Sequence, residues 1–370
     1  MNSRKNNLLI TLVDLHFGGI SNLVLQTTPT LGKRFNVWVI YFGPNEQMKE
    51  RFENAGIIVV RIPYNGGKDI FKAVRGLRRF IIENKIDIVS TNFTPDKLIV
   101  GLTRLFTKFS IVGNIHNSFD PNITPINLRT WRGLFEEFFH NKVSNKVIGV
   151  SKSAIENAKK FRNLKNPNLS IVYSGIAGLT NNISIKPKNE NIIFVTACRF
   201  VEIKGLDRLI DRFNDVNKTL INWELWLIGN GKLNNSLKNK VKILGLEDKI
   251  IFKGYQKNLL SFYESADFYI NSSYNEALGI SIIEAMSVGL PILGSKVGGV
   301  PEVVQDGYNG YLLDFNDEVD SVRIISGAID LDPEKYNKIA MNSLKCFQKK
   351  FSIENYVDRI TFEYNELLPL

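Results

Sequence analysis

NIIFVTACRFVEIKGLDRLIDRFNDVNKTLINWELWLIGNG, residues 191–231, holds one full cycle of the pattern that decides the fold. An apolar, β-branched run is followed by a helical pattern starting near Gly205 and then by a second apolar run, WELWLIGNG. Apolar strands alternating with helices form a parallel sheet covered on both faces. Outward from this unit the cycle repeats through KIIFKGY, DFYINSS and LPILGS. The first half repeats it through LLITLV, NVWVIYF, IIVVRI, IDIVSTNF, FSIVGNI, KVIGVS and LSIVYSG, with segments of period near 3.6 between several of them, such as KDIFKAVRGLRRFIIEN. Two such sets predict two doubly wound, Rossmann-like domains.

The polar, aperiodic stretch GLTNNISIKPKNEN at 178–191 separates them, giving one domain over 1–180 and another over 190–350. Residues 351–370 begin with FSIENYVDRITFEYNELL, which reads as a helix packing back on the first domain. Open α/β sheets bind ligands at the carboxyl ends of their strands, so two facing domains imply a site in a central cleft.

Composition narrows the partners. Cys198 and Cys346 give no disulfide framework, and with His16, His116 and His140 they form no metal-ligand spacing. No apolar run approaches the roughly 18–20 residues that cross a bilayer, and LLITLV before Asp14 is short for a secretory signal. A reduced, cytoplasmic setting is expected. The net charge of +10 is uneven: residues 1–185 carry 25 Lys and Arg against 12 Asp and Glu, while residues 186–370 carry 22 against 25. An anionic surface or acceptor is expected at the first half.

Two glutamates, Glu276 and Glu284, have seven residues between them in NEALGISIIEAMSVGLPILGSKVGGVPE, 275–302. A carboxylate among Ile282, Ile283, Ala285 and Met286 is costly unless something pairs with it. With a helix starting near Gly279, Glu284 falls in its second turn and Glu276 in the loop before it. Eight residues of helix span about 12 Å, the order of a nucleotide sugar from ribose to hexose. Glu284 then accepts both ribose hydroxyls, Glu276 holds the sugar, and the amides of Leu278, Gly279 and Ile280 seat a diphosphate. The alternative makes Glu284 a solvent-facing helix residue. In CRFVEIKGLDRLI, Arg199 ends a strand and Lys204 precedes Gly205 at a helix start, which puts two cations near the same strand ends.

As a set, Arg199 with Lys204-Gly205, then LIGNG, FKGY, the paired glutamates, GLP and GGVPE resemble the retaining glycosyltransferases of family 4, which have the GT-B fold. The resemblance runs in order across 191–313. In the first half it rests on Gly18-Gly19 after strand one, His116 after strand five, and KVIGVSKSA at 146–154. It implies that Arg199 and Lys204 bind the donor diphosphate, Glu284 the ribose, and Glu276 with the following amides the sugar. It also implies that Gly19 admits the phosphate and that His116 reaches the sugar. The expected reaction moves a hexosyl or N-acetylhexosaminyl residue from a nucleotide sugar, UDP-linked before GDP-linked, to a glycan or lipid-linked acceptor, as in capsule or O-antigen synthesis. Leaving-group stabilisation is its main catalytic term, and it needs no metal or other cofactor.

Some positions depart from the family pattern. Ala277 and Leu278 follow the first glutamate where Gly or Pro, and often Phe, are usual, and Ser174-Gly175-Ile176-Ala177 replaces N-G-[IV]-D. Pro29 is expected to interrupt the helix after Gly18-Gly19. Asp330-Leu331-Asp332 has the form of a manganese-binding D-x-D, but Asp332-Pro333 ahead of EKYNKIAMNSL reads as a helix cap.

Lys68, Lys72, Arg75 and Arg79 share one narrow helical face at about 100° per residue. Phe71, Val74, Leu77 and Ile81 fall about 135° away by the same count. The face is either an ordinary solvated one or rests on an anionic membrane surface near a lipid-diphosphate acceptor, the protein being peripheral on the inner leaflet. The aromatic run TWRGLFEEFFHNK, 130–142, either assists it or packs inside. Two other classes compete: a sugar-nucleotide epimerase of similar architecture, and a nucleic-acid-binding protein explained by charge, against which no nucleic-acid motif appears. HFGGISN lacks the G-x-G-x-x-G of a dehydrogenase.

Overall fold

A computed structural model describes residues 5–117, 131–180, 185, 187–220 and 222–368. Thr130 of the aromatic run, and residues 181–184 and 186 of the boundary stretch, lie outside the described residues. The chain divides into two units, Met1–Ala177 with Ile353–Leu370, and Gly178–Ser352.

The first unit is built on seven strands: β1 (Asn7–Leu12), β2 (Asn36–Tyr41), β3 (Ile58–Arg61), β4 (Ile88–Thr91), β5 (Ser110–Ile115), β6 (Lys146–Gly149) and β7 (Leu169–Ile171). They pair in parallel in the order β3-β2-β1-β4-β5-β6-β7. The second unit holds β8 (Ile192–Ala197), β9 (Trp223–Ile228), β10 (Ile250–Gly254), β11 (Phe268–Asn271), β12 (Ile292–Ser295) and β13 (Gly310–Leu313), in the parallel order β10-β9-β8-β11-β12-β13. Both orders reverse between a first and a fourth strand, β1 with β4 and β8 with β11. That is the doubly wound topology, and the reversal opens a crevice at the carboxyl ends of those strands. β13 was not among the strands expected from sequence. GYLL is short and only half buried, and pairing with β12 makes it a strand.

Burial explains the layers. The helix Leu206–Val216 buries Leu206, Leu209, Ile210, Phe213 and Val216, a 3.6-period stripe. Phe213 meets Phe194 of β8 and Trp223 of β9 with ring centroids 5.1 and 4.9 Å apart. In the first unit the helix Ile353–Asn365 buries Val357, Ile360 and Tyr364 in a core shared with Leu8, Ile10 and Val39. The Lys146 ammonium, on β6, is ion-paired with Glu363 and Glu366 at the end of that helix, and Ser170 Oγ donates to Glu363 at 2.7 Å. Counted by unit, the first carries 26 basic and 16 acidic residues and the second 21 of each, so the whole net charge of +10 sits on the first.

Two local expectations are corrected. The helix after Gly18 runs from Gly19 to Leu31 with Pro29 inside its last turn, so the proline removes one N–H that would reach the Leu25 carbonyl but does not interrupt the helix. Phe71 is 78% exposed and off the core face. The buried face of the helix Asp69–Glu83 is Ala73, Val74, Leu77 and Ile81, with Ile70 packed beside them in place of Phe71.

Candidate functional site

In the second unit the two loops leaving β8 and β11, on either side of the crevice, are tied together. Beyond β8 the chain passes Arg199 and the single 3₁₀ turn Glu202–Lys204, and beyond β11 it passes Ser272–Gly279. Ser272 Oγ donates to the Lys204 carbonyl at 2.9 Å and the Tyr274 amide to the Ile203 carbonyl at 2.8 Å. Gly205 makes this approach possible: its φ is +61°, and a Cβ there would lie 2.2 Å from the Ser272 carbonyl oxygen. Gly298 does the same for the other side of the β11 loop, with φ +53° and a would-be Cβ 2.1 Å from the Glu276 carbonyl.

Lys204 and Glu276 meet across these loops, Nζ to Oε1 at 2.5 Å, both largely buried. Ser273 Oγ also donates to Glu276 Oε1, at 2.9 Å. Behind it, Asn271 Nδ2 donates to Ser273 Oγ at 3.2 Å and Ser295 Oγ to Asn271 Oδ1 at 2.7 Å. Sequence reasoning missed Arg208. Its guanidinium donates to the Ser272 carbonyl at 2.8 and 2.9 Å and to the Ser273 carbonyl at 2.7 Å. It also lies 3.8 Å from the centre of the Tyr274 ring. A cation four residues after Lys204, inside the apolar stripe LDRLI, was the available signal. Arg199 is exposed, and its guanidinium makes no hydrogen bond or ion pair among the described residues.

Gly279 caps the helix Ile280–Met286 with φ +91°, which places Glu284 in its second turn and leaves Glu276 in the preceding loop. Only the last part of the spacing is helical, so the 12 Å of a continuous helix does not apply to the pair. Its sequence neighbours Ile282, Ile283, Ala285 and Met286 are buried, and Glu284 itself is half-buried. Its carboxyl group makes no hydrogen bond or ion pair among the described residues, and burial pushes its pKa from 4.5 to about 7.

In the first unit, Gly18 caps the helix that starts at Gly19. A Cβ on Gly19 would meet nothing within 4 Å. His116, just past β5, has Nε2 2.8 Å from Asn92 Oδ1, and Asn92 Nδ2 donates to the Thr11 carbonyl at 2.9 Å. The amide oxygen therefore faces the imidazole and Nε2 carries the proton. Burial, then the nearby Lys97 ammonium, lowers the His116 pKa to about 3. Lys68, Lys72, Arg75 and Arg79 are all exposed on one helix; Lys72 lies 3.9 Å from Asp69 and Arg79 2.7 Å from Glu83.

Asp332 accepts from the Lys335 amide at 2.9 Å as the cap of the helix Pro333–Cys346, and Asp330 ends the helix before it. Among the described residues no group of three His, Cys, Asp or Glu could hold a metal ion, and no helix is long and apolar enough to cross a membrane.

Two family models match, one described as Glycosyltransferase Family 4 over residues 17–177 and one as Glycosyl transferases group 1 over residues 180–345. An uncharacterized glycosyltransferase of Haemophilus influenzae is 24% identical over 356 residues, covering 92% of this chain and 94% of that one. The solved structure of Anabaena HepE with UDP and glucose has a TM-score of 0.83 at 18% identity, covering 98% of this chain and all of that one. A lipopolysaccharide outer core galactosyltransferase, WaaB, has a TM-score of 0.77 at 18% identity, covering 98% of this chain and all of that one. With its two reversing parallel sheets and both halves matched in order, the chain belongs to the family 4-type glycosyltransferases of GT-B fold.

Proposed function

We propose that this glycosyltransferase moves a hexosyl or N-acetylhexosaminyl residue, with retention, from a nucleotide sugar to a glycan or lipid-linked glycan, UDP donors being used before GDP donors. The observation that carries the reading is Glu284, a carboxyl group desolvated by the surrounding protein and without a hydrogen-bond or ion-pair partner among the described residues. Such a group is costly unless a ligand supplies hydrogen bonds, and the paired hydroxyls of a ribose supply two.

The rest of the donor follows from that anchor. Arg199 and Lys204 bind the diphosphate, helped by the amides of Leu278, Gly279 and Ile280, and Glu276 holds the sugar hydroxyls. Lys204 and Glu276 hold each other at 2.5 Å and so are pre-oriented before the donor arrives. As the sugar–phosphate bond breaks, the two cations offset the charge growing on the leaving group; a contact of this kind is worth about 3–4 kcal/mol in the transition state. They take the place a metal would fill, and no metal or other cofactor is part of the proposal. Gly19 admits the phosphate, with open space where a Cβ would stand. His116 accepts a hydrogen bond from a sugar hydroxyl at its unprotonated Nδ1.

The acceptor side rests on charge. The first unit carries the whole net +10, and Lys68, Lys72, Arg75 and Arg79 form an exposed face suited to an anionic membrane surface that carries a lipid-diphosphate acceptor. HepE was solved with UDP and WaaB is a lipopolysaccharide galactosyltransferase, which supports a UDP donor and a bacterial surface-polysaccharide role. Thermal unfolding with a panel of UDP- and GDP-sugars tests the donor assignment, because a ligand of the native state raises Tm with occupancy. Stabilisation by UDP-sugars that Lys204→Ala abolishes is expected; no stabilisation by any nucleotide sugar would refute it.

A further inference from the structure

The helix Asp69–Glu83 turns two large apolar side chains, Phe71 and Ile82, toward solvent. At about 100° per residue they share a sector of about 60° with Arg75 and Arg78, and at 1.5 Å of rise per residue they stand about 16 Å apart. Arg78 Nε donates to the Phe106 carbonyl at 3.3 Å, which joins this face to the loop between the helix Thr94–Arg104 and β5. In that loop Leu105 is 74% and Phe106 63% exposed, and Lys108 is exposed two residues on. Single exposed apolar residues need no explanation, but a group of them rimmed by polar ones marks an interaction site.

The charges around the group are mostly of one sign. Residues 68–83 hold five Lys and Arg against Asp69 and Glu83, and those two carboxylates face Lys72 and Arg79 at 3.9 and 2.7 Å. Arg75, Arg78 and Lys108 have no ion pair among the described residues. A second copy of this chain set on the face in a two-fold contact would oppose the same cations to each other, at a cost. Long cationic side chains interspersed with apolar ones instead match the boundary of a bilayer, where phosphates lie just above the acyl chains.

We propose that Phe71, Ile82, Leu105 and Phe106 insert into an anionic lipid bilayer, with Arg75, Arg78 and Lys108 on its phosphates. The inference rests on the membrane reading above and goes past it. Cations alone adsorb to headgroups and are screened by salt, whereas these four side chains enter the acyl boundary and hold the first unit there by burial of apolar surface. It gives Phe71 a use that the core does not. The surface lies wholly within the first unit.

Sedimentation of the full chain with vesicles of equal parts phosphatidylglycerol and phosphatidylcholine tests it. Leu105→Ser combined with Phe106→Ser changes no charge and takes nothing from the core, so it should leave Tm and the stabilisation by UDP as in the wild type. It should weaken vesicle binding about 30-fold or more, and Phe71→Ser should weaken it in the same direction. Phe106→Trp should keep the binding, and the added fluorescence should be quenched by phosphatidylglycerol brominated on its acyl chains. Wild-type binding by the double serine variant, or no such quenching, would overturn the insertion and leave adsorption by charge. A wild-type protein that does not bind these vesicles at all would overturn the membrane reading, and the insertion with it. A wild-type dimer that the double variant converts to monomer would assign the face to a second copy and overturn the proposal as well.

Discussion

Replacing Glu284 by glutamine should make the protein more stable at alkaline pH and a poorer binder of nucleotides. The native pKa of Glu284 is about 7 against 4.5 for a free side chain, so between those values the folded state holds the extra proton and the unfolded state does not. Stability therefore falls as pH rises through that window, is unaffected below it, and stays reduced above it. At 1.36 kcal/mol per pKa unit the cost above pH 7 is at most about 3 kcal/mol. Glutamine keeps the shape and carries no charge to desolvate, so Glu284→Gln should gain up to that amount at pH 8 and nothing at pH 4. For a unit of this size that is a rise in Tm of about 6–12 °C. The same variant should bind UDP about 10- to 150-fold more weakly, the worth of a hydrogen bond to a charged acceptor being about 1.5–3 kcal/mol. Thermal unfolding at pH 4 and 8, with and without UDP, reads both effects. Equal stability of the two proteins at pH 8, or the same gain at both pH values, would refute the reasoning.

Lys146→Met should destabilise the first unit by about 3 kcal/mol in denaturant unfolding, because it strands Glu363 and Glu366 beside a buried position; a loss under 1 kcal/mol would show that the pair contributes little. Held uncharged down to about pH 3, His116 should show a flat imidazole NMR signal of the Nε2–H form between pH 4.5 and 8, and a titration near 6.5 would contradict the Asn92 arrangement. Reversing Lys72, Arg75 and Arg79 to Glu should abolish sedimentation with phosphatidylglycerol vesicles, each cation being worth about 1 kcal/mol at such a surface, while leaving UDP-induced stabilisation intact. Unchanged sedimentation would return that face to an ordinary solvated one.

Much of the fold was legible because a parallel strand buried on both faces must be apolar along its whole length; NIIFVTA, WELWLI and LLITL could be little else. β13 escaped because GYLL has too few buried positions to announce itself and becomes a strand only beside β12. Helix periodicity placed Val74, Leu77 and Ile81 correctly but not Phe71, since a pattern gives the angle of a face and not where the neighbouring elements end. The cations and carboxylates of the second unit could be named from local motifs. Their pairing could not, because Lys204 meets Glu276 only through the adjacency of β8 and β11, set by Phe268 opposite Phe194. Arg208 looked like any helix residue until the Ser272 and Ser273 carbonyls appeared beside it. Asn92 behind His116 was hidden for the same reason.

The central claim is that the loops after β8 and β11, with Glu284 behind them, grip a nucleoside diphosphate. Calorimetric titration of UDP into the wild type and into Lys204→Ala tests it most directly. The account predicts saturable binding to the wild type and at least tenfold weaker binding to a variant that still unfolds cooperatively. Equal dissociation constants for the two proteins would contradict it.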